Sequence, residues 1–255
     1  MKVLKTREDL LKISKEYSLG FVATMGALHK GHADLIKKSQ EDNDQTIVSI
    51  FVNPTQFNNK NDFETYPNVL EDDFKFCKEM AVDYVFTPSV DAVYKEEESI
   101  KLVEEVISEK FEGKHRPGHF SGVLMVVLKL LNLIGPDHAY FGEKDYQQYL
   151  LIKRMAENYF LKTKIIGVET VRDEFGLALS SRNLNLTPEG LDKARKIAGL
   201  FLSSKSKKEF LDKAQKFNLK LEYYGEDWNR SLMAHYIDGV RLIDNRAKEN
   251  KEVKV

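Results

Sequence analysis

The amino-acid sequence predicts an α/β fold: a doubly wound parallel sheet with a second, smaller C-terminal α+β domain. Three observations lead there. From Gly20 onward, short apolar runs alternate with helical periods, the βαβα rhythm that favours a parallel sheet. Hydrophobic residues make up 42% of the chain and aromatic residues 11%, enough for a sizeable core and against disorder or a fibrous class. Beyond Leu184 the text turns lysine-rich and helical, and 255 residues at about 150 per domain allow one or two domains.

The elements follow in order. The first eighteen residues, MKVLKTREDLLKISKEYS, carry charges throughout and lack the apolar centre of a signal peptide. Thr6 followed by Asp9 reads as a helix cap, so a folded surface helix is expected there. GFVAT is a strand, GHADLIKKSQEDN a helix and TIVSIFV a strand; a polar loop then leads to a helix over Val69 to Met80. DYVF and SIKLVEE continue the strands, before a long helix near Gly118 to Ile134, the strand DHAYFG, a helix from about Asp145 to Asn158, and the strand KIIGVET. The long helix is apolar almost all round and must be covered on several sides, for which a subunit interface is one means. KSKKEFLDKAQKF reads as helix, NLKLEYY and GVRLID as strands, and RAKENKEVKV as a frayed charged tail. The expected domains are residues 1–176 and 177–255.

Charge and cysteine usage narrow the function. Lys+Arg 39 against Asp+Glu 40 leaves a net charge of −1, which excludes a generic nucleic-acid binder. Cys77 is the single cysteine, so an intrachain disulfide framework and a CxxC motif are both excluded, and a reducing cytoplasm fits best. The longest apolar run, Gly122 to Gly135, is interrupted by Lys129 and Asn132 and falls short of the roughly 18 residues a membrane span needs. No membrane partner is expected.

Three groups of residues at strand ends can carry chemistry. Thr24-Met25-Gly26-Ala27-Leu28-His29-Lys30-Gly31-His32 sits where a strand ends and a helix begins, the place where open α/β sheets bind ligands. Gly26 and Gly31 allow close backbone approach, the helix start offers N–H groups to anions, and two histidines three apart can hydrogen-bond one phosphate chain. On these residues alone a structural turn or a metal pair is the alternative. Phe141-Gly142-Glu143-Lys144-Asp145-Tyr146-Gln147-Gln148 again follows a strand: Lys144 can meet phosphate charge, Asp145 ribose hydroxyls, and the glutamines a polar substrate. A solvated helix start is equally compatible. Leu179-Ser180-Ser181-Arg182-Asn183, at the domain boundary, suits a triphosphate tail or a plain linker.

Weaker candidates complete the set. Asn53 and Gln56, in Phe51-Val52-Asn53-Pro54-Thr55-Gln56-Phe57, leave the sheet at a proline turn. Arg116 and His119 stand at the start of the apolar helix, where capping competes with anion binding. Asp72 and Asp73 are candidates for Mg²⁺, against the ordinary reading of solvated neighbouring acids.

The stretches TMGALHKGH, FVNPTQF, HRPGHFSGV, FGEKDYQQ and LSSRNL, in this order over most of residues 20–186, together resemble the pantothenate synthetase (pantoate–β-alanine ligase) family. The HxGH element alone is shared in related form by many nucleotidyl transferases and class I aminoacyl-tRNA synthetases; GEKDxQQ with SSRN is the sharper pair. The resemblance implies a Rossmann-like nucleotidyl transferase fold, a cytoplasmic homodimer, and two chemical steps. Pantoate is adenylated by ATP with release of pyrophosphate, and the amine of β-alanine then displaces AMP to give pantothenate, a coenzyme A precursor. No covalent enzyme intermediate is implied.

By position, the resemblance places the ATP site on Met25 to His32, Gly142 to Asp145, Val171, and Leu179 to Arg182. His29, His32 and Lys144 fall at catalytic positions, with His32 matching a proton donor, and Gln56 and Gln148 at pantoate-binding positions. Gln56 also matches a β-alanine contact, and Mg²⁺ accompanies ATP. A lid role for the second domain rests mainly on Ser180 to Arg182. Where the family commonly reads YPR this chain has Tyr66-Pro67-Asn68, so a cation is missing near the implied gating loop between Asn58 and Pro67. Residues from about Leu191 to Ile237 align poorly, whereas Asp238 to Asn245 again match the family's end. Two other functions stay open on the residues: a nucleotidyl transferase with another acceptor, and a catalytically silent nucleotide-binding module.

Overall fold

The computed structural model describes residues 1–57, 63, 64, 66, 67, 69–94 and 99–248. The chain divides into two compact units, Met1–Glu169 and Thr170–Val255. Six strands form the parallel sheet of the first unit: β1 (Lys2–Leu4), β2 (Leu19–Thr24), β3 (Gln45–Ile50), β4 (Tyr84–Phe86), β5 (His138–Gly142) and β6 (Lys164–Val168). Their order is β1-β4-β3-β2-β5-β6. The chain therefore winds outward in one direction from β2 to β4 and in the other from β5 to β6. The switch lies between β2 and β5, where such sheets open a crevice at the carboxyl ends of the strands.

Side-chain alternation explains why both faces are covered. Phe21, Ile47, Phe86 and Ala139 point to one face, and their neighbours Val22, Val48, Val85 and Tyr140 to the other. Against the first face pack α1 (Arg7–Leu10), α4 (Val90–Val93), α6 (His119–Ile134) and α7 (Tyr146–Asn158), with α5 (Phe111–His115) just before α6. Against the second pack α2 (Lys30–Asp42) and α3 (Leu70–Glu79), through Leu35, Ile36 and Cys77. Left-handed glycines, Gly118 at φ 81° and Gly135 at φ 63°, bound α6.

Several expectations need correction. The N-terminus is not one surface helix: Lys2–Leu4 pairs with β4 at the sheet edge, and only Arg7–Leu10 is helical, started by the expected box of Thr6 and Asp9. A three-residue strand that begins on a lysine and is followed by another gives no readable alternation. SIKLVEE is not a strand, because Ile100 and Val103 are exposed and Glu104 Oε2 accepts the backbone N–H groups of Val106, Ile107 and Ser108, turning the chain. Most of α6 needs no second subunit to cover it, since Phe120, Val123, Leu124, Val126, Val127, Leu130, Leu131 and Ile134 are buried within the chain. Arg246 and Ala247 belong to a strand rather than a tail; residues 249–255 and much of the implied loop at 58–67, with Asn68, lie outside the described residues.

The second unit packs α8 (Pro188–Ser203) and α9 (Lys207–Ala214) on an antiparallel sheet β7-β8-β9 (Lys220–Asp227, Arg230–Ile237, Val240–Ala247). Its core holds Ile197, Phe201, Phe210, Tyr224 and Met233. Two-residue turns with positive φ at both positions, Trp228-Asn229 and Asp238-Gly239, join the strands and match their twist. Arg172 ties the unit's first residues to β9 through two 2.8 Å bonds to the Asp244 carboxylate. No helix among the described residues is long and apolar enough to cross a membrane.

Candidate active site

Since β3, β2 and β5 are neighbours in the sheet, the loops leaving their carboxyl ends share one edge. The loop after β2 takes an unusual path: Gly26 has φ 87° and Ala27 φ 51°, the left-handed region that costs a residue with a Cβ. Side chains hold it there. Thr24 Oγ1 accepts the N–H of Gly26 at 3.3 Å, and Asp73, reaching from α3, accepts those of Ala27 at 3.0 Å and Leu28 at 2.7 Å. Asp73 is 2% exposed and neither solvated nor set out toward a cation, so both sequence-based readings of it are corrected. A Cβ on Gly26 would stand 2.8 Å from its Oδ2.

The loop delivers His29 as the cap of α2, its Nδ1 accepting the N–H of Gly31 at 3.1 Å, while His32 Nδ1 accepts the N–H of His29 at 3.2 Å. The rings lie 4.2 Å apart between centroids. Burial, then His29 and the Lys144 cation, push the His32 pKa down to about 3; burial and Lys144 lower that of His29. Both rings are therefore neutral near pH 7. With Nδ1 occupied as acceptor, the ring proton sits on Nε2, so the pair offers two neutral N–H donors.

After β3, Asn53 is 1% exposed and fully engaged: Oδ1 accepts from the Tyr94 hydroxyl at 2.8 Å and from Thr55, and Nδ2 donates to Gly122 O and to Gln56 Oε1. That bond orients the Gln56 amide, whose Nε2 meets Met25 Sδ at 3.0 Å. His119, the first residue of α6, reaches the backbone of the same turn, with Nδ1 2.9 Å from Gln56 O and Nε2 3.0 Å from the Arg116 guanidinium. Arg can only donate, so His119 Nε2 accepts and Nδ1–H donates to the carbonyl. Burial, then Arg116, hold its pKa down to about 4. His119 and Arg116 thus brace the turn.

After β5, Glu143–Asp145 forms a short 3-10 turn, with Lys144 Nζ 4.0 Å from Asp145 Oδ2. The two glutamines part ways. Gln147, 3% exposed, donates to Ile107 O and Lys110 O and accepts from Glu112 N, so it is a strut rather than a substrate group. Gln148, one position on, is half-buried and its amide has no partner among the described residues. In the second unit, Leu179 N donates to Val171 O at 2.9 Å, and Ser180 Oγ accepts the N–H of Arg182 to start a turn over Ser181–Asn185.

This arrangement has known counterparts. The family model described as pantoate-beta-alanine ligase matches residues 2–247. The chain belongs to the pantoate-beta-alanine ligase family. It is 48% identical over 239 residues to the pantothenate synthetase of Francisella philomiragia subsp. philomiragia, covering 92% of each chain. Among solved structures it is similar to the pantoate-beta-alanine ligase of Francisella tularensis complexed with beta-gamma ATP and beta-alanine, at a TM-score of 0.92, 44% identity and 97% of both chains. The pantothenate synthetase of Thermus thermophilus matches at a TM-score of 0.91 and 35% identity, over 97% of this chain and 99% of the other. As in the family, the parallel sheet is followed by a small antiparallel one.

Sequence reasoning missed the supports of this candidate site: Asp73 as a loop brace, Tyr94 behind Asn53, and His119 on the carbonyl of Gln56. One signal was available. Asp73 falls in helical phase with Leu70 and Cys77, on the face that α3 buries.

Proposed function

We propose that this chain joins pantoate to β-alanine at the expense of ATP, through a pantoyl adenylate. The observation that carries the reading is the pair of neutral imidazoles beside Lys144, at the switch of a sheet whose whole chain matches the ligase family. A carboxylate oxygen of pantoate attacks the α-phosphorus, and the P–O bond to pyrophosphate breaks with its electron pair. Charge then grows on the phosphate oxygens. His29 and His32 donate Nε2–H bonds to them and Lys144 adds a positive charge, aimed where the charge develops. The β-alanine nitrogen next attacks the acyl carbon, AMP leaves with the C–O electron pair, and the amine proton is lost. The Gln56 amide, fixed by Asn53, and the Gln148 amide hold the pantoate hydroxyls and carboxylate.

Met25 to Leu28, Lys30 and Gly31 offer backbone to the nucleotide, and Gly142, Glu143 and Asp145 take the ribose side; the family resemblance assigns Val171, Leu179, Ser180, Ser181 and Arg182 of the second unit to ATP as well. For Mg²⁺ the donor set fits an ion carried on the nucleotide. Both Asp73 oxygens are taken by N–H groups, and no three His, Cys, Asp or Glu side chains converge among the described residues. Mg²⁺ commonly keeps waters and phosphate ligands in such sites. Bound there it would neutralise the charge of the triphosphate. A cytoplasmic homodimer is also inferred, supported by the one buried free thiol and by exposed Ile100, Val103 and Val106; sedimentation reports the mass.

The test is ATP–pyrophosphate exchange. It should require pantoate but not β-alanine, and AMP should accumulate together with an amide only when β-alanine is added. Exchange that depends strictly on β-alanine overturns the two-step scheme, and a nucleotide left on its acceptor points to a transferase.

A further inference from the structure

We propose that Asp73 is a positioning residue for nucleotide activation, acting through the backbone of residues 26–29 rather than on the substrate. The proposal rests on the ligase reading and deepens it. Three successive amides are each accepted by a side chain: Ala27 N by Asp73 Oδ2, Leu28 N by Asp73 Oδ1, and His29 N by His32 Nδ1. The carboxylate therefore fixes the two peptide units that immediately precede the one that orients the His32 ring.

Three features make this a built device. Ala27 stands at φ 51°, a left-handed conformation that costs a residue with a Cβ, and the bond from its own N–H to Asp73 offsets that cost. The two acceptors are different oxygens of one carboxylate, so an amide at this position would set an N–H against an N–H on one side. Asp73 is also buried on the apolar face of α3, near Cys77. Among the described residues its carboxylate has no ion-pair partner, the only hydrogen bonds to it being those from the loop. A buried carboxylate costs stability unless it is hydrogen-bonded, and here every hydrogen bond it makes goes to the loop that presents the histidines.

The test is a double-mutant cycle of Asp73→Asn with Ala27→Gly, read by pantoate-dependent ATP–pyrophosphate exchange. Asp73→Asn should raise KM for ATP and lower kcat by about tenfold each, the effect of losing a charge-assisted bond, while KM for pantoate stays within about twofold. Ala27→Gly removes the steric penalty of the left-handed loop, so in its background the same change should cost only about threefold. Equal losses in both backgrounds, or losses shared equally by ATP and pantoate, overturn the proposal. Should Asp73→Asn not fold, Ala27→Val strains the loop with α3 untouched and must reproduce the defect on the ATP side; normal kinetics in Ala27→Val overturn it too. If the parent protein shows no pantoate-dependent exchange, the ligase reading fails. Calorimetric binding of a non-hydrolysable ATP analogue to parent and variants then tests the positioning role alone, and unchanged affinity refutes it.

Discussion

At the scale of single residues, what a side chain does depends on which of its atoms the backbone has already taken. His29 and His32 each spend Nδ1 on an N–H group, and burial keeps both rings neutral. A ring with a pKa near 3 holds no second proton to give at pH 7, so in the proposed reaction His32 would work as a hydrogen-bond donor rather than as an acid. Replacement can separate these roles. His32→Ala should lose roughly 10²–10³-fold in exchange rate, the usual effect of deleting an oriented donor. His32→Gln, whose Nε2 reaches a similar point with an N–H, should recover about tenfold of that loss. If glutamine is as inactive as alanine, the proton itself is required.

At the scale of elements, α6 and the turn Pro54–Gln56 are fitted without slack. A Cβ on Gly122 would stand 2.4 Å from Thr55 O and 2.8 Å from Gln56 N, both backbone atoms, and the Gly122 carbonyl accepts from Asn53. Gly122→Ala must push the turn off the helix, an overpacking cost of about 1–3 kcal/mol. Because the turn carries Gln56, KM for pantoate should rise several-fold at unchanged ATP binding, measured by exchange with each substrate varied in turn. An unchanged KM for pantoate would show that Gln56 does not meet it. The same fit shows what the sequence made legible. Strands β2, β3, β5 and β6 and helices α2, α3, α6 and α7 could be read because each repeats a period over enough residues, and β4 because its three residues are all apolar. Lys2–Leu4 is too short to repeat anything, and β8 was missed because Trp228-Asn229 carries no glycine or proline to mark its turn. Motif residues at the strand ends could be placed beside the crevice, yet Gln147 looked as fit for substrate as Gln148. Only packing shows that α7 turns the first of them inward, onto Ile107 and Lys110.

At the scale of the whole molecule, both units bury neutral histidines, which makes acid their shared weakness. His119, 6% exposed, lies in the first unit, and His235, 3% exposed on β8 with no partner for Nδ1 among the described residues, lies in the second. Burial, then Lys193, lower the pKa of His235 from 6.5 to about 4. Above pH 6.5 neither folded nor unfolded chain holds this proton, and the ring adds no pH dependence. Between 6.5 and 4 the unfolded chain binds a proton that the folded chain refuses, so stability falls as pH falls. Below 4 the loss is complete, about 3 kcal/mol for this one ring. His235→Leu removes both the titration and the unpartnered nitrogen. Trp228, the single tryptophan, lies in the turn before β8 and reports unfolding of this unit. In urea melts followed by its fluorescence, the gain of His235→Leu over the parent should be larger at about pH 5 than at about pH 7.5 by about 2 kcal/mol, the part of the linkage spent by then. An equal gain at both pH values would mean that His235 titrates alike in folded and unfolded chains, and the acid sensitivity of the second unit would have to come from carboxylates such as Asp173, which its hydrogen bonds from Arg195 and the backbone hold below the usual range.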